Sequence, residues 1–287
     1  MTRSRRTPYF LLGPGLLWLL VFFAIPMAFM AYISLNSGSL SEGFEFNWEW
    51  QNFSDALTDY GTQFGRTFIY AGVATVLALL IAYPLAYAIA FKGGRWKTAL
   101  LFVVVAPFFT TYLIRTLAWQ TILADEGPFV AFLQGVGLVG QDSEVLDTPG
   151  SVILGLTYNF LPFMILPIYA SLEAIDGRLV EAAKDLYASS KTAFLRVTLP
   201  LSMPGVIAGT LLTFIPAAGD YINADFLGGA GQQMIGNVIQ NLYIEQRLYP
   251  AAAALSFVLM AVVLVFVLAY IRFAGSEALM GEEEERA

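Results

Sequence analysis

Apolar runs of twenty or more residues, parted by short polar stretches, set the rhythm of this chain. A helix needs about 20 mostly apolar residues to cross the hydrocarbon core of a bilayer. Six runs qualify, at about 8–35, 64–91, 98–123, 151–172, 204–226 and 251–273. Their internal prolines (Pro26, Pro84, Pro107, Pro162, Pro167 and Pro216) would break helices in water. In a membrane they are tolerated, because neighbouring helices and waters re-satisfy the freed carbonyls. The first run follows Arg3, Arg5 and Arg6, as a secretory signal would, yet it is too long and no small-residue cleavage site follows. The pattern predicts an all-α integral membrane protein: a tail over 1–7, six transmembrane helices within 8–273 and an acidic tail over 274–287.

One long polar segment interrupts the apolar pattern, residues 181–200 within a loop of about 176–203. Ala182 and Ala183 give it a smooth small-residue surface, and Glu181, Lys184 and Asp185 keep it solvated. Leu199-Pro200, with Pro204 beyond, is expected to stop any helix before the next span. Two readings stand side by side, a short surface helix offered to a partner and a merely solvated loop.

Charge adds an orientation. Basic residues collect in the N-terminal tail, in the turn after the second run (Lys92, Arg95, Lys97) and in the polar segment (Arg178, Lys184, Lys191, Arg196). The alternate loops are acidic: Glu42, Glu45, Glu49, Asp55 and Asp59 in one, Asp125, Glu126, Asp142, Glu144 and Asp147 in another. An even number of crossings separates the basic segments, so the positive-inside rule puts them and both termini in the cytoplasm of a cell whose plasma membrane the chain spans. The first acidic loop also carries Trp48 and Trp50. It reads either as a vestibule that concentrates cations or docks a carrier, or as an outer loop simply depleted of Lys and Arg.

Composition closes off other classes. With 57% hydrophobic and 13% charged residues and a mean hydropathy of +0.66, the chain is no ordinary soluble domain. It has no Cys and no His, which removes thiolate and imidazole chemistry and Cys/His metal sites. No P-loop motif is present, so the chain does not hydrolyse ATP by that route alone. No inverted repeat of broken helices supports a secondary transporter, and no filter-like sequence supports a channel. Gly205-x-x-x-Gly209 fits close helix packing.

Polar residues within apolar runs are costly, and so are candidates for function. Pro216 and Gly219 interrupt the fifth run just before Asp220, Tyr221 and Asp225, and Gly228-Gly229 close it. A broken helix with carboxylates at the break exposes polar groups to a cavity. Asp220 suits an ammonium and Tyr221 offers it a ring face; alternatively, these acids lie in the outer headgroup region. Tyr158-Asn159 and Thr110-Thr111-Tyr112 are further candidates. Arg115 is expected to pair with a carboxylate or to snorkel.

The polar segment resembles the cytoplasmic loop of bacterial ABC importer permeases: Glu-Ala-Ala, three residues, Gly, then about nine residues to a hydrophobic-x-Leu-Pro. Here the match is Glu181-Ala182-Ala183 and Val197-x-Leu199-Pro200. Tyr187 stands where the family has Gly. That Gly ends a short helix with positive φ, which costs another residue about 1–2 kcal/mol, so the turn here is expected to be built differently or tightened against another surface. Gly219-Asp220-Tyr221, Phe226-Leu-Gly-Gly229, Met234-Ile-Gly-Asn-Val-Ile239 and Arg115-Thr-x-Ala-Trp119 are similar to the spermidine/putrescine permeases, the first of their two membrane subunits. The resemblance implies a type I importer permease that is not itself an enzyme and holds no cofactor. Its implied partners are a second permease, two ATPase subunits that bind ATP and magnesium, and an extracytoplasmic binding protein. It further implies that Glu181, Ala182, Ala183, Asp185, Leu186 and Tyr187 form the coupling surface. Relatives also carry opine-like compounds and aminophosphonates, so the cargo stays open.

Overall fold

The computed structural model describes residues 7–41, 43–137, 140 and 144–284. Along the chain run α1 (Thr7–Leu19), α2 (Ile25–Ser34), β1 (Asn36–Ser39), β2 (Gly43–Phe46), α3 (Gln51–Asp59) and α4 (Gly61–Tyr87). They are followed by α5 (Lys97–Val105), α6 (Tyr112–Leu123), α7 (Pro128–Gly135), α8 (Pro149–Glu173), α9 (Gly177–Asp185) and α10 (Ser190–Ala193). The last are α11 (Leu199–Ala218), α12 (Ile222–Leu227), α13 (Ile235–Gln240) and α14 (Tyr249–Glu284). Single π-helical turns join α1 to α2 and α10 to α11. The all-α membrane architecture expected from the apolar runs is present. Among the described residues five helical stretches are long and apolar enough to cross a bilayer, or six when one bent pair counts as a span. Arg3, Arg5, Arg6, Glu42, Asp142 and Glu285 lie outside the described residues.

Three expectations need correction. The third span, expected as one helix over 98–123, is two stretches, Gly94–Phe109 and Tyr112–Gly135, bent by 93°. Pro107 sits in a 3₁₀ turn, and Thr110 and Thr111 at the bend are extended, with ψ of 141° and 147°. Pro200 does not stop a helix: one helical stretch runs from Ser190 to Ala218. The π turn at Phe194–Thr198, closed by the Leu199 N–H to the Phe194 carbonyl, re-registers the hydrogen bonds just before the proline, whose missing N–H then costs little. The fifth span consequently begins earlier than 204 and ends at Ala218, not 226. α14 also continues past the expected end at 273.

Backbone packing divides the chain into two units, residues 1–61 with 238–261, and residues 62–237 with 262–287. In the first, the β1–β2 hairpin pairs antiparallel from Asn36 opposite Phe46 to Ser39 opposite Gly43. Asn52 Nδ2 ties α3 to it, donating to the carbonyls of Ser34 (3.0 Å) and Asn36 (2.9 Å). The apolar surface of the first helical stretch, including Trp18, Phe22 and Phe23, is exposed.

The second unit is built on small residues. Ala71, Ala74, Ala78, Ala82 and Ala86 recur every three or four positions of α4 and are fully buried. This stripe lets backbones approach, the packing mode of helices in lipid. It abuts Leu156 and Leu227 at one end, and Met164, Ile165, Ile168 and Leu172 at the other. α11 lies against α8 through the expected glycine pair. A Cβ on Gly205 would come 2.7 Å from the Ser171 Cβ, and one on Gly209 3.0 Å from the Met164 carbonyl oxygen. α8 starts with a capping box: Thr148 Oγ1 accepts from the Ser151 N–H, and Pro149 fills the first turn. Ser151 Oγ and the Asp147 N–H both donate to the Leu227 carbonyl, fastening the end of α12 to the start of α8.

Candidate functional site

α11 ends where Pro216 and Gly219 predict. Gly219 is its C-cap, and α12 begins only at Ile222, so Asp220 and Tyr221 lie in the break. Asp220 Oδ1 accepts the Asn223 N–H at 2.8 Å, an ordinary way for a short acid to start a helix. Its second oxygen does something else. Oδ2 accepts the Tyr112 hydroxyl at 2.5 Å. Tyr112 opens α6, directly after the 93° bend, so the bend delivers this hydroxyl to the α11–α12 break.

The network continues inward. Asn223 Nδ2 donates to the Tyr112 hydroxyl oxygen and to Asp220 Oδ1. Asn223 Oδ1 accepts from Asn159 Nδ2 on α8 at 3.0 Å, and Asn159 Nδ2 also reaches Thr116 Oγ1 at 3.4 Å. Asp220, Asn223 and Asn159 are 8%, 0% and 1% exposed, so water does not compensate them. Among the described residues every donor to Asp220 is neutral. Asn159 Oδ1 is buried with no hydrogen-bond partner among the described residues, an acceptor left open and linked to Asp220 only through Asn223.

Close backbone approach makes the network possible. A Cβ on Gly155 of α8 would sit 2.6 Å from Asn223 Oδ1, and one on Gly236 would sit 2.8 Å from the Asp220 carbonyl oxygen. Asn237 Nδ2 donates to the Tyr221 carbonyl at 2.8 Å while its Oδ1 accepts the Met234 N–H. The Met234-Ile-Gly-Asn run therefore braces the break from beneath.

The residues singled out in the sequence separate here. Tyr112 and Asp220 meet directly. Tyr221 is adjacent, with its side chain 40% exposed. Asp225 is exposed on α12, outside the network. Tyr158 packs edge-on to Trp119, ring centroids 5.3 Å apart, and lines an apolar pocket of about 210 Å³ with Pro107 and Leu161. Asn223 and Thr116 were not singled out. The Asp220-x-x-Asn223 spacing of a capped helix start carried the signal for the first; nothing local marked the second. Arg115 neither pairs nor snorkels. It is buried, with its guanidinium over the Phe108 ring at 4.9 Å and the Tyr112 ring at 5.5 Å. The bend sets Phe108 and Tyr112 on either side of it, and no carboxylate lies within ion-pair reach among the described residues.

In the polar segment, Asp176 Oδ1 accepts the Arg178 N–H and starts α9, which carries Glu181, Ala182, Ala183 and Asp185. The polar segment is thus helical and capped, and α9 packs on the π turn at Phe194–Thr198. Tyr187 has φ of +60°, the left-handed conformation that suits Gly, so the turn is not built differently as its side chain suggested. The Ala188 N–H reaches back to the Ala183 carbonyl at 3.0 Å, the six-to-one bond of a Schellman ending. Leu186 and Tyr187 are 82% and 99% exposed.

Bundled apolar helices, a broken helix holding a buried carboxylate and a capped polar loop define a multi-pass membrane transport permease. Residues 5–274 match the family described as the binding-protein-dependent transport system inner membrane component, and the chain belongs to that family. It is 36% identical to the spermidine/putrescine transport system permease protein PotB of Haemophilus influenzae, over 89% of this chain and 90% of that one. It is 40% identical to PotB of Escherichia coli K12, over 70% and 73%. The inner membrane ABC transporter permease protein YdcU of Escherichia coli K12 is 33% identical over 70% and 69%. Among solved structures, a bacterial ABC transporter that imports the acidic polysaccharide alginate superposes with a TM-score of 0.68 at 19% identity, covering 94% of this chain and 95% of that one. The MetNI methionine ABC transporter gives 0.58 at 17% identity, covering 75% and 94%. Both share the fold.

Proposed function

We propose that this chain is the membrane permease subunit of an ATP-driven importer of polyamines, with Asp220 as the cation subsite of its pathway. The single observation carrying the cargo chemistry is the buried Asp220 carboxylate, held among the described residues by neutral donors only. The likeness to spermidine/putrescine permeases at 36–40% identity points to the same class. An ammonium arriving at the α11–α12 break displaces the Tyr112 hydroxyl from Asp220 and uses the Tyr112 and Tyr221 rings as further ligands.

The chain performs no chemistry in this reading. ATP and magnesium belong to two copies of a separate ATPase, a second permease completes the pathway, and an extracytoplasmic binding protein delivers cargo. One solved relative of the fold is an alginate transporter in complex with an alginate pentasaccharide-bound periplasmic protein, which supports a delivered-cargo arrangement. Both termini and α9 face the cytoplasm by the charge distribution. Glu181, Ala182, Ala183, Asp185, Leu186 and Tyr187 form the surface that receives the ATPase, and the exposure of Leu186 and Tyr187 supports it. Nucleotide states that bind this surface differently shift the balance between inward-open and outward-open arrangements.

The test is ATPase activity of the assembled complex in lipid with its cognate binding protein. Stimulation by putrescine or spermidine supports the reading. Stimulation only by an opine-like compound or an aminophosphonate keeps the permease and overturns the cargo. Uptake driven by an ion gradient with ATP hydrolysis blocked overturns the class.

A further inference from the structure

We infer that Arg115 is a specificity-determining residue of this pathway, a resident positive charge that limits how much cationic charge the cargo brings to Asp220. The inference rests on Asp220 being the cation subsite. Arg115 is 9% exposed, and among the described residues neither its Nε nor its Nη1 finds a hydrogen-bond partner. What holds the guanidinium is two ring faces, Phe108 at 4.9 Å and Tyr112 at 5.5 Å. Ring faces attract a cation without neutralising it. The salt bridge among the described residues, Lys97 to Glu173 at 2.8 Å, lies elsewhere.

Tyr112 joins the two charges. Its face carries the guanidinium while its hydroxyl donates to Asp220. The carboxylate and the guanidinium are therefore separated by one aromatic ring, and neither is paired with the other. A cargo ammonium on Asp220 is attracted by the carboxylate and repelled by Arg115 in the same water-poor space. Each further ammonium of the same cargo gains nothing more from Asp220 and adds repulsion from Arg115. The guanidinium thus discriminates by charge number, favouring a diamine over a triamine relative to what Asp220 alone would select. Across one ring's length, at the effective dielectric of a partly buried site, one unit charge alters cation binding by up to about tenfold.

The experiment measures half-saturating putrescine and spermidine for uptake into proteoliposomes holding the complete transporter. The same binding protein serves every variant, so its own preference cancels in the comparison. Arg115→Gln should move the spermidine-to-putrescine preference severalfold, up to about tenfold, towards the triamine. Arg115→Lys, which keeps the charge, should keep the parental ratio. Should the Gln variant fail to assemble, Arg115→Met, whose apolar end suits the Phe108 face, reads the same quantity. An unchanged ratio in the neutral variant, or an equal shift in the Lys variant, overturns the inference. Asp220→Asn separates it from the underlying reading: loss of both cargoes with an unmoved ratio in Arg115→Gln leaves the subsite standing and removes only the role of Arg115.

Discussion

Replacing Tyr187 by Gly should tighten the end of α9. Tyr187 sits at φ of +60°, a conformation that costs a non-glycine residue about 1–2 kcal/mol. Its side chain is 99% exposed, so truncation forfeits no packing within this chain. Glycine returns part of the gain, because it loses about 0.5–1 kcal/mol more backbone entropy on ordering. The net is about 0.5–1 kcal/mol in favour of the closed turn, or roughly two- to fivefold fewer openings. Hydrogen exchange reads it directly. The Ala188 amide, bonded to the Ala183 carbonyl at 3.0 Å, should exchange roughly two- to fivefold more slowly in Tyr187→Gly. Tyr187→Ala removes the same ring yet keeps the strain, so its exchange should stay near the parent's. If the Gly and Ala variants exchange alike, strain at Tyr187 does not govern the turn. The same variants test the ring's purpose: if Tyr187 contacts the ATPase, both weaken assembly, although only one tightens the turn.

Asp220→Asn should raise the half-saturating concentration of a cationic cargo by about 10- to 100-fold, the worth of one charge-assisted hydrogen bond; a change under twofold in uptake assays refutes the subsite. Gly155→Ala places a methyl 2.6 Å from Asn223 Oδ1 and should destabilise the α8–α12 contact by about 1–3 kcal/mol, seen as a lower midpoint in a detergent melt. Glu181→Lys should leave the spans folded and uncouple ATP hydrolysis from uptake; normal uptake per ATP would remove α9 from the coupling role.

The sequence made the spans and the break legible for different reasons. Long apolar runs have no soluble alternative, so the helices and the end of α11 at Gly219 could be read from composition and two breakers. The 93° bend could not. Pro107 is one of nine prolines in the runs, and only the structure shows that Thr110 and Thr111, not the proline itself, take the extended conformation. Pro200 misled for the converse reason. A proline stops a helix only when its missing N–H and its ring clash go uncompensated, and a π turn one step earlier compensates both. Tyr187 misled as well: a turn built differently was expected, yet the turn keeps the left-handed conformation when the residue type changes.

The site was half legible, and the missing half is what gives it direction. Asp220 stands out in any apolar sequence, yet a buried carboxylate alone does not distinguish a helix cap from a cation site. Asn223 settles the cap, since its N–H takes Oδ1. In the proposed reading Tyr112 and Asn159, 108 and 61 positions away, supply the rest: one donates to Oδ2 and the other leaves an acceptor open among the described residues. Neither pairing has a local signature, because a bend and a glycine contact bring them together. That dependence makes the site sensitive to geometry. A shift of α6 at the Thr110–Thr111 bend would withdraw the Tyr112 hydroxyl from Asp220 and carry Arg115 with it, since both residues ride on the same turn of α6. Freeing the carboxylate and moving the resident cation are then one motion, so cargo affinity and charge selectivity should change together in any variant that alters the bend.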